Sequence, residues 1–312
     1  MQTNFQHETV LLKESVEGIF GNPDGTYVDC TLGGGGHSAA ILSRLSPQGC
    51  LIGIDRDPAA VAVGRLRLSS AKARVNIVQG NFTEIGQVLD QLNIGQVDGV
   101  LFDLGVSSHQ IDLPQRGFSY MKEGPLDMRM DPGQSLTAED IVNNYSENEL
   151  TRIFFEYGEE RWARRIAKFI VEARHQHPLK TTTELVEIIM ASIPVAVRKQ
   201  GSHPAKRIFQ AIRIEVNGEL TILPGAIRTA IERLAPGGKI GVISFHSLED
   251  RIVKNTFSSF LGHCICPPQL PICVCNPKAI LRLFGKPVTP SMEEIESNPR
   301  ARSAKLRIAE KI

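Results

Sequence analysis

TLGGGGHS, residues 31–38, places four consecutive glycines between an apolar run and a histidine. The run TYVDCTL that leads into it is short and partly β-branched, which is typical of a buried strand, and HSAAILSRL has helical spacing. Open α/β sheets bind ligands at such turns, between the end of a strand and the start of a helix. The stretch therefore predicts an α/β fold whose first turn holds a ligand.

The same alternation continues along the first hundred residues. CLIGIDRD, VNIVQGNF and VDGVLFDLG read as further strands, separated by the helix-like stretches PAAVAVGRLRL and TEIGQVLDQL. Asp57 followed by Pro58 is a typical helix start. A later unit has the helix GAIRTAIERLA, the turn PGG at residues 236–238, the strand KIGVISF and the helix SLEDRIVKNTF. Strands and helices that alternate at this spacing predict a parallel, doubly wound sheet.

The alternation is interrupted between residues 116 and 215. Four stretches there have helical spacing: SENELTRIFFEYG, ERWARRIAKFIVEARH, TTTELVEIIMASI and HPAKRIFQAIRIEVNGEL. Ser146 followed by Glu149 has the pattern of a capping box. We predict that residues 116–215 form an inserted all-helical domain, and that residues 1–115 and 216–312 form the sheet domain.

Composition places the chain among ordinary globular proteins. Of its 312 residues, 42% are hydrophobic and 22% charged. Its longest apolar runs are shorter than the roughly 18 residues that a membrane span needs. The N-terminal residues lack the pattern of a signal peptide, and six cysteines in a chain of this length do not suggest a secreted disulfide framework. We expect a cytoplasmic protein that has no membrane partner.

Positive charge is concentrated in two segments although the net charge is only +1. Residues 151–215 hold 12 Lys and Arg against 7 Asp and Glu, and residues 298–312 hold 5 against 1. Such segments indicate either a polyanionic partner or solvated helix faces. The side chains that would contact phosphates are Arg161, Arg164, Arg165, Lys168, Arg300 and Arg302.

Three ligands compete for the glycine-rich turn. A Walker phosphate loop requires a lysine after the glycines, and a dinucleotide fingerprint requires a third glycine where Ser38 stands. S-adenosylmethionine sites have alternating glycines behind an acidic strand end. Asp29, Gly33 and Gly35 match that alternation, although Thr31 replaces its first glycine.

The later strand ends favour S-adenosylmethionine. Asp55 lies where a carboxylate can accept the two ribose hydroxyls of the cofactor. Asn81 and Phe82 end the predicted third strand, where a side chain can lie beside an adenine ring. Asp103 ends the fourth strand, where the amino acid part of the cofactor and the methyl acceptor should meet. Tight turns and caps explain each residue singly but not the set.

Ten motifs spread over nearly the whole chain resemble one family. They are HETVLL, DCTLGGGGHS, GIDRDP, FDLGVSSHQID, RGFSY, GPLDMRMD, YGEERWARRIA, FQAIRIEVNGEL, ISFHSLEDRIVK and NPRARSAKLRIAE. These motifs resemble those of the RsmH (also called MraW) family. The resemblance implies a Rossmann-like methyltransferase domain with an inserted helical domain.

The resemblance also implies a reaction and a site. The family uses S-adenosylmethionine to methylate the exocyclic N4 amine of a cytidine in the decoding region of 16S ribosomal RNA. The implied partner is therefore the small ribosomal subunit, and no DNA partner is expected. The cofactor-binding residues carried over by motif are Gly35, Gly36, His37, Asp55, Phe82, Asp103 and Gln110.

The sequence does not decide which residues position the cytidine. Many amino-methyltransferases use an Asp/Asn-Pro-Pro-aromatic motif, but Asp103 is followed by Leu-Gly-Val-Ser-Ser. Phe118 or Phe245 is then a candidate to stack on the base. Asp103 is the candidate catalytic residue, because its carboxylate, like the Ser107 or Ser108 hydroxyl or a backbone carbonyl, can accept the amine protons.

Other polar residues allow both a functional and a structural interpretation. RGFSYMKEGPLDMRMD is either an ordered active-site loop or an ion-pair network, and its charged members are Arg116, Asp127, Arg129 and Asp131. His246 follows a strand end, either close to the cofactor or as a buried, hydrogen-bonded side chain. The thiols of Cys264, Cys266, Cys273 and Cys275 could hold zinc or remain reduced, and no metal residue is assigned.

Three rival functions remain. A DNA amino-methyltransferase is disfavoured by the helical insertion and the missing Pro-Pro motif. A non-catalytic RNA-binding or assembly factor is disfavoured by the complete set of strand-end residues. A nicotinamide dehydrogenase is disfavoured by the missing third glycine.

Overall fold

The structure is a computed structural model that describes residues 9–198, 203–262 and 278–312. These residues divide into two compact units. One unit comprises Met1–Gly105 and Leu220–Ile312, and the other comprises Val106–Glu219. Among the described residues, no helix combines the length and apolar character needed to cross a membrane.

The first unit contains a seven-stranded sheet in the order β3-β2-β1-β4-β5-β7-β6. Strands β1 to β5 pair with one another in parallel, whereas β7 is antiparallel to both β5 and β6. The parallel part and the helices around it confirm the predicted α/β class. The strands are β1 Thr26–Asp29, β2 Cys50–Asp55, β3 Arg74–Gln79, β4 Val97–Asp103, β5 Leu234–Ser244, β6 Leu281–Leu283 and β7 Lys305–Lys311.

The helices lie between the strands and in the second unit. In chain order they are α1 Leu12–Ile19, α2 Gly36–Leu42, α3 Pro58–Arg67, α4 Ile85–Gln91, α5 Ser108–Asp112, α6 Ala138–Asn144, α7 Glu147–Glu156, α8 Ala163–Arg174, α9 Thr182–Ser192, α10 Val195–Arg198, α11 Ala205–Asn217, α12 Glu219–Arg233, α13 Ser247–Ser258 and α14 Met292–Ser297. Short 3-10 helices span Phe82–Glu84, Pro114–Arg116 and Pro299–Ser303. The predicted start of α3 is confirmed, because the Asp57 side chain accepts a hydrogen bond from Ala59 N.

Two apolar layers cover the sheet. Ile52 and Phe102 pack in a cluster with Ile227 of α12 on one face. Their chain neighbours Leu51 and Leu101 pack on the other face with residues of α1 and α2. Successive side chains of a strand point to opposite faces, so a sheet covered on both sides requires continuous apolar strands such as CLIGI.

Part of the basic C-terminal segment, residues 298–312, belongs to the sheet. Residues 305–311 form β7, and Arg307 and Lys305 both pair with Asp250 of α13. Lys311 Nζ also donates to the Glu232 and Leu234 carbonyls, so three positive charges of the segment are used within the fold. The predicted turn PGG lies within β5, where the pairing with β4 jumps from Leu234 to Lys239.

The second unit is built from helices around its own core. Ile153, Phe154 and Ile212 are fully buried there. The predicted capping box is confirmed, because Ser146 Oγ accepts from Glu149 N and the Glu149 carboxylate accepts from Ser146 N. The unit begins earlier and ends later than the predicted block 116–215. Its C-terminal limit is extended because Asn217 bonds the backbone of Met128 and Met130.

Candidate active site at the carboxyl edge of the sheet

Three parallel strands end in aspartates at one edge of the sheet. Asp29, Asp55 and Asp103 are the last residues of β1, β2 and β4, as the sequence predicts for Asp55 and Asp103. The third strand ends at Gln79, and Asn81 caps the 3-10 helix that Phe82 begins. The residues expected to form the site thus follow strands at one sheet edge.

The glycine turn, residues 31–38, is held by hydrogen bonds from both sides. Gly33 N donates to Asp55 Oδ2 over 2.7 Å, and Arg67 donates to the Gly34 carbonyl over 2.8 Å. Gly33 and Gly35 have φ of 51° and 72°, a region that favours glycine. A Cβ on Gly33 would be in ordinary van der Waals contact with the Thr31 carbonyl at 3.8 Å, and it would meet no nearer atom among the described residues.

The start of α2 is covered by the segment that precedes α1. A Cβ on Gly36 would collide with the Thr9 side chain, so only glycine fits this position. His37 is buried, and its Nε2 lies 3.2 Å from the Val10 carbonyl. Its Nδ1 lies 3.7 Å from Asp103 Oδ2. His37 therefore connects the N-terminal segment to the end of β4.

Thr31, which replaces a glycine of the usual alternation, links two strand ends. Its Oγ1 accepts a hydrogen bond of 2.6 Å from Asp103 N. Its backbone N donates to Asp29 Oδ1, and Asp29 Oδ2 accepts from Ser38 Oγ over 2.7 Å. The departure from the glycine pattern was the only sequence signal for this link.

The carboxylates of this edge lie close together, with Asp29 fully buried and Asp55 and Asp103 partly exposed. Burial, together with the charges of Asp29 and Glu249, raises the pKa of Asp103 well above its ordinary value. Burial likewise raises the pKa of Asp29 to about 6, and it raises the pKa of Asp55. Asp103 Oδ1 is buried and has no hydrogen-bond partner among the residues that the structure describes. The edge is therefore suited to a cationic ligand that donates hydrogen bonds.

Phe82 and Gln110 have different surroundings. The Phe82 ring is partly buried and packs edge-on against Phe102, with centroids 5.7 Å apart. Gln110 belongs to the second unit, where its Oε1 accepts from Ser107 N over 3.0 Å in a capping box. The structure thus brings Gly35, Gly36, His37, Asp55, Phe82 and Asp103 together in one unit.

The arginine loop, residues 116–134, is an internal network. Arg116 donates to the carbonyls of Arg129 and Met130, and Arg129 forms a bidentate pair with Asp127. Phe118 is only 8% exposed and packs in the core of the second unit, so it is not free to stack on a base. These contacts favour the structural interpretation for these residues.

Four basic side chains on α8 and just before it are exposed. The Arg161 and Arg165 guanidinium groups lie over the rings of Trp162 and Phe169, at 5.7 and 5.4 Å from the centroids. We use the name α8 basic face for the four exposed side chains of Arg161, Arg164, Arg165 and Lys168. Arg300 and Arg302 are exposed in the 3-10 helix Pro299–Ser303 of the first unit.

No metal centre is found within residues 9–198, 203–262 and 278–312, since no group of three His, Cys, Asp or Glu side chains is arranged to hold an ion. The cysteines considered for zinc lie outside the described residues: Cys264, Cys266, Cys273 and Cys275.

Comparisons with known proteins identify the family of this chain. The model of the MraW methylase family matches residues 4–312. The chain belongs to the MraW methylase family. Relatives named ribosomal RNA small subunit methyltransferase H include those of Heliobacterium mobile and Clostridioides difficile, each 53% identical over 99% of both chains. The Halothermothrix orenii relative is 54% identical over 98% of this chain and 99% of its own.

Proposed function

We propose that this chain transfers a methyl group from S-adenosylmethionine to the exocyclic N4 amine of a cytidine in the decoding region of 16S ribosomal RNA, in the cytoplasm. Asp103 Oδ1, which is buried and has no hydrogen-bond partner in the part of the chain that the structure describes, carries the proposal. Membership of the MraW methylase family supports the reaction class, and the names of the relatives support the RNA substrate.

The residues of the sheet edge fit the cofactor. S-adenosylmethionine supplies an electrophilic methyl group on a sulfonium, together with an ammonium group, and both positive charges suit the cluster of carboxylates. The glycines of the turn have no side chains and adopt positive φ at Gly33 and Gly35, which allows a ligand to approach the backbone. The residues of the first unit that would hold the cofactor are Gly35, Gly36, His37, Asp55, Phe82 and Asp103.

The chain must position a poor nucleophile. The lone pair of a cytosine amine is delocalised into the ring, so the site has to align the amine and accept its N–H groups as the nitrogen becomes tetrahedral. The amine nitrogen would gain the methyl carbon as the bond from that carbon to the sulfonium sulfur breaks, and the proton that the nitrogen loses would pass to solvent. Asp103 Oδ1 is an acceptor that could bind either the cofactor ammonium group or this amine, and we assign it first to the cofactor.

The second unit contributes RNA recognition. Guanidinium groups stacked on aromatic rings are held with their donors outward, which suits contacts to phosphates. Of the four side chains in the α8 basic face, Lys168 has an acidic neighbour, Glu172, at 3.6 Å. We propose that this face binds the RNA backbone.

Methylation assays test the main proposal. Small subunits from cells that lack this protein should accept one methyl group at a decoding-region cytidine, and mass mapping of nucleosides should find it at N4. Asp55→Ala protein serves as the inactive control. Transfer to duplex DNA instead, or cofactor binding without any transfer, would refute the proposal.

Salt dependence tests the α8 basic face. Replacing Arg164, Arg165 and Lys168 with Ala should reduce the slope of log K against log salt by about 0.7–0.9 for each lost phosphate contact. Cofactor affinity should not change. A matched control replaces three exposed lysines of the first unit, Lys13, Lys72 and Lys286, with Ala. An equal slope for both triple variants would show that the α8 basic face is only solvated.

A further inference from the structure

His246 lies at the same edge of the sheet as Asp103. Across β4 and β5, Asp103 pairs with Ile243, and Leu104 N donates to the Ile243 carbonyl over 3.0 Å. Beyond the strands, a Cβ on Gly105 would lie 3.8 Å from the Phe245 ring. The segments that leave β4 and β5 therefore run side by side, and His246 belongs to the second of them.

The hydrogen bonds of His246 define its tautomer. It caps α13, and its Nδ1 accepts from Glu249 N over 3.4 Å. A backbone N–H can only donate, so Nδ1 carries a lone pair and the neutral ring has its hydrogen on Nε2. The Glu249 carboxylate, with Oε1 at 3.2 Å from Nε2, favours a hydrogen there by its charge.

The Nε2 donor is buried and unsatisfied. Within residues 9–198, 203–262 and 278–312 it has no hydrogen-bond partner, because its contact with Glu249 Oε1 lacks hydrogen-bond geometry. The His246 side chain is 11% exposed. A buried donor without a partner is rare in folded proteins and calls for an explanation, such as a ligand that supplies the acceptor.

The ring is also held in place. Glu249 Oε2 accepts from Phe245 N over 2.7 Å and from His246 N over 3.3 Å, so the capping box fixes both ends of the turn. The Glu249 side chain is only 3% exposed. A donor with a fixed direction can discriminate between acceptors, because a mismatched partner leaves it unpaired.

We propose that His246 Nε2 donates a hydrogen bond to ring atom N3 of the cytosine that is methylated, an inference that rests on the proposed function. N3 of cytosine is an acceptor next to the carbon that carries the amine, whereas uracil has an N3–H donor at the same place. Enzymes that modify a base read its Watson–Crick edge in this way. His246 is thus a specificity-determining residue, and it selects cytosine over uracil.

Substitution of both partners tests this hydrogen bond. RNA with 3-deazacytidine at the target lacks the N3 acceptor, and wild-type kcat/KM should fall about tenfold on it. His246→Asn keeps a capping side chain but removes the Nε2 donor. It should lose about tenfold on normal RNA and nothing more on 3-deazacytidine RNA. His246→Gln, whose amide nitrogen extends towards the Nε2 position, should retain most of the activity.

Structural roles are separated by two controls. Cofactor affinity should be unchanged in both His246 variants. Ser291→Ala removes the cap of α14 in the same unit and should leave kcat/KM unchanged. Independent tenfold losses from the variant and the deaza base, no loss of wild-type activity on the deaza base, or weakened cofactor binding would each overturn the assignment. Failure of wild-type protein to methylate normal RNA would instead refute the proposed function.

Discussion

The glycine turn and the arginine loop are similar in composition and opposite in construction. Both are rich in glycine and lie close to charged side chains. In the arginine loop, Arg116 and Arg129 donate to backbone carbonyls of the loop itself, and Asp127 is paired. At the glycine turn, by contrast, Asp103 retains a buried oxygen that has no partner among the described residues.

This difference separates a scaffold from a candidate site. A buried polar group without a partner lowers stability by about 1–3 kcal/mol, so a fold retains one mainly where a ligand completes it. Charged groups that bond their own loop contribute to folding instead. Substitutions near the glycine turn should therefore change cofactor binding, and those in the arginine loop should change stability alone.

Asp55→Ala should have the largest effect. It would remove the two charge-assisted hydrogen bonds that we propose between Asp55 and the ribose, each worth roughly 1.5–3 kcal/mol, and the bond that holds Gly33 N. Calorimetry should show S-adenosylmethionine affinity lowered at least a hundredfold, with an unchanged circular dichroism spectrum. Asp55→Asn keeps one acceptor oxygen and should lose less. Wild-type affinity in the alanine variant would remove Asp55 from the site.

Asp103→Asn should have the next largest effect and should distinguish two roles. A carboxylate that binds the cofactor acts in the ground state, so its loss should raise KM for S-adenosylmethionine about tenfold while kcat at saturation recovers. An acceptor for the amine acts mainly in the transition state, and its loss would lower kcat. Turnover a hundredfold lower at saturation, with normal cofactor affinity, would assign Asp103 to the cytidine.

The sequence predicted strands β1 to β5, but not strands β6 and β7 or the contacts of the arginine loop. Strands β1 to β5 were recognisable because a sheet buried on both faces requires continuous apolar runs. Strand β6 has three residues, and the charges of β7 hid its alternation, so neither was expected. The sequence also left the two interpretations of the arginine loop equal, because composition does not show whether a guanidinium meets a carbonyl or a ligand.

The pH dependence of stability should differ between the glycine turn, where Asp29 lies, and the arginine loop. Burial raises the pKa of Asp29 to about 6, so its contribution to stability is full at low pH and is lost as pH rises through that value. Without cofactor, the free energy of unfolding measured with urea should be about 2 kcal/mol lower at pH 8 than at pH 4 because of Asp29. Asp29→Asn should reduce that difference, whereas the exposed Glu123→Gln should not. An equal pH dependence in Asp29→Asn and wild type would contradict this.

Asp127→Asn, in the arginine loop, should have the smallest effect and the opposite pH dependence. Burial acts to raise the pKa of Asp127, but the hydrogen bonds and charge of Arg129 outweigh it, and the pKa lies below its ordinary value. Its contribution is therefore present at neutral pH and is lost as pH falls through the folded-state pKa. The pair is partly exposed, so the variant should be about 1 kcal/mol less stable at pH 7. Urea unfolding should show this loss shrinking towards pH 3, while calorimetry at pH 7 finds wild-type cofactor affinity. A weakened affinity without loss of stability would place the arginine loop in the site and remove the contrast with the glycine turn.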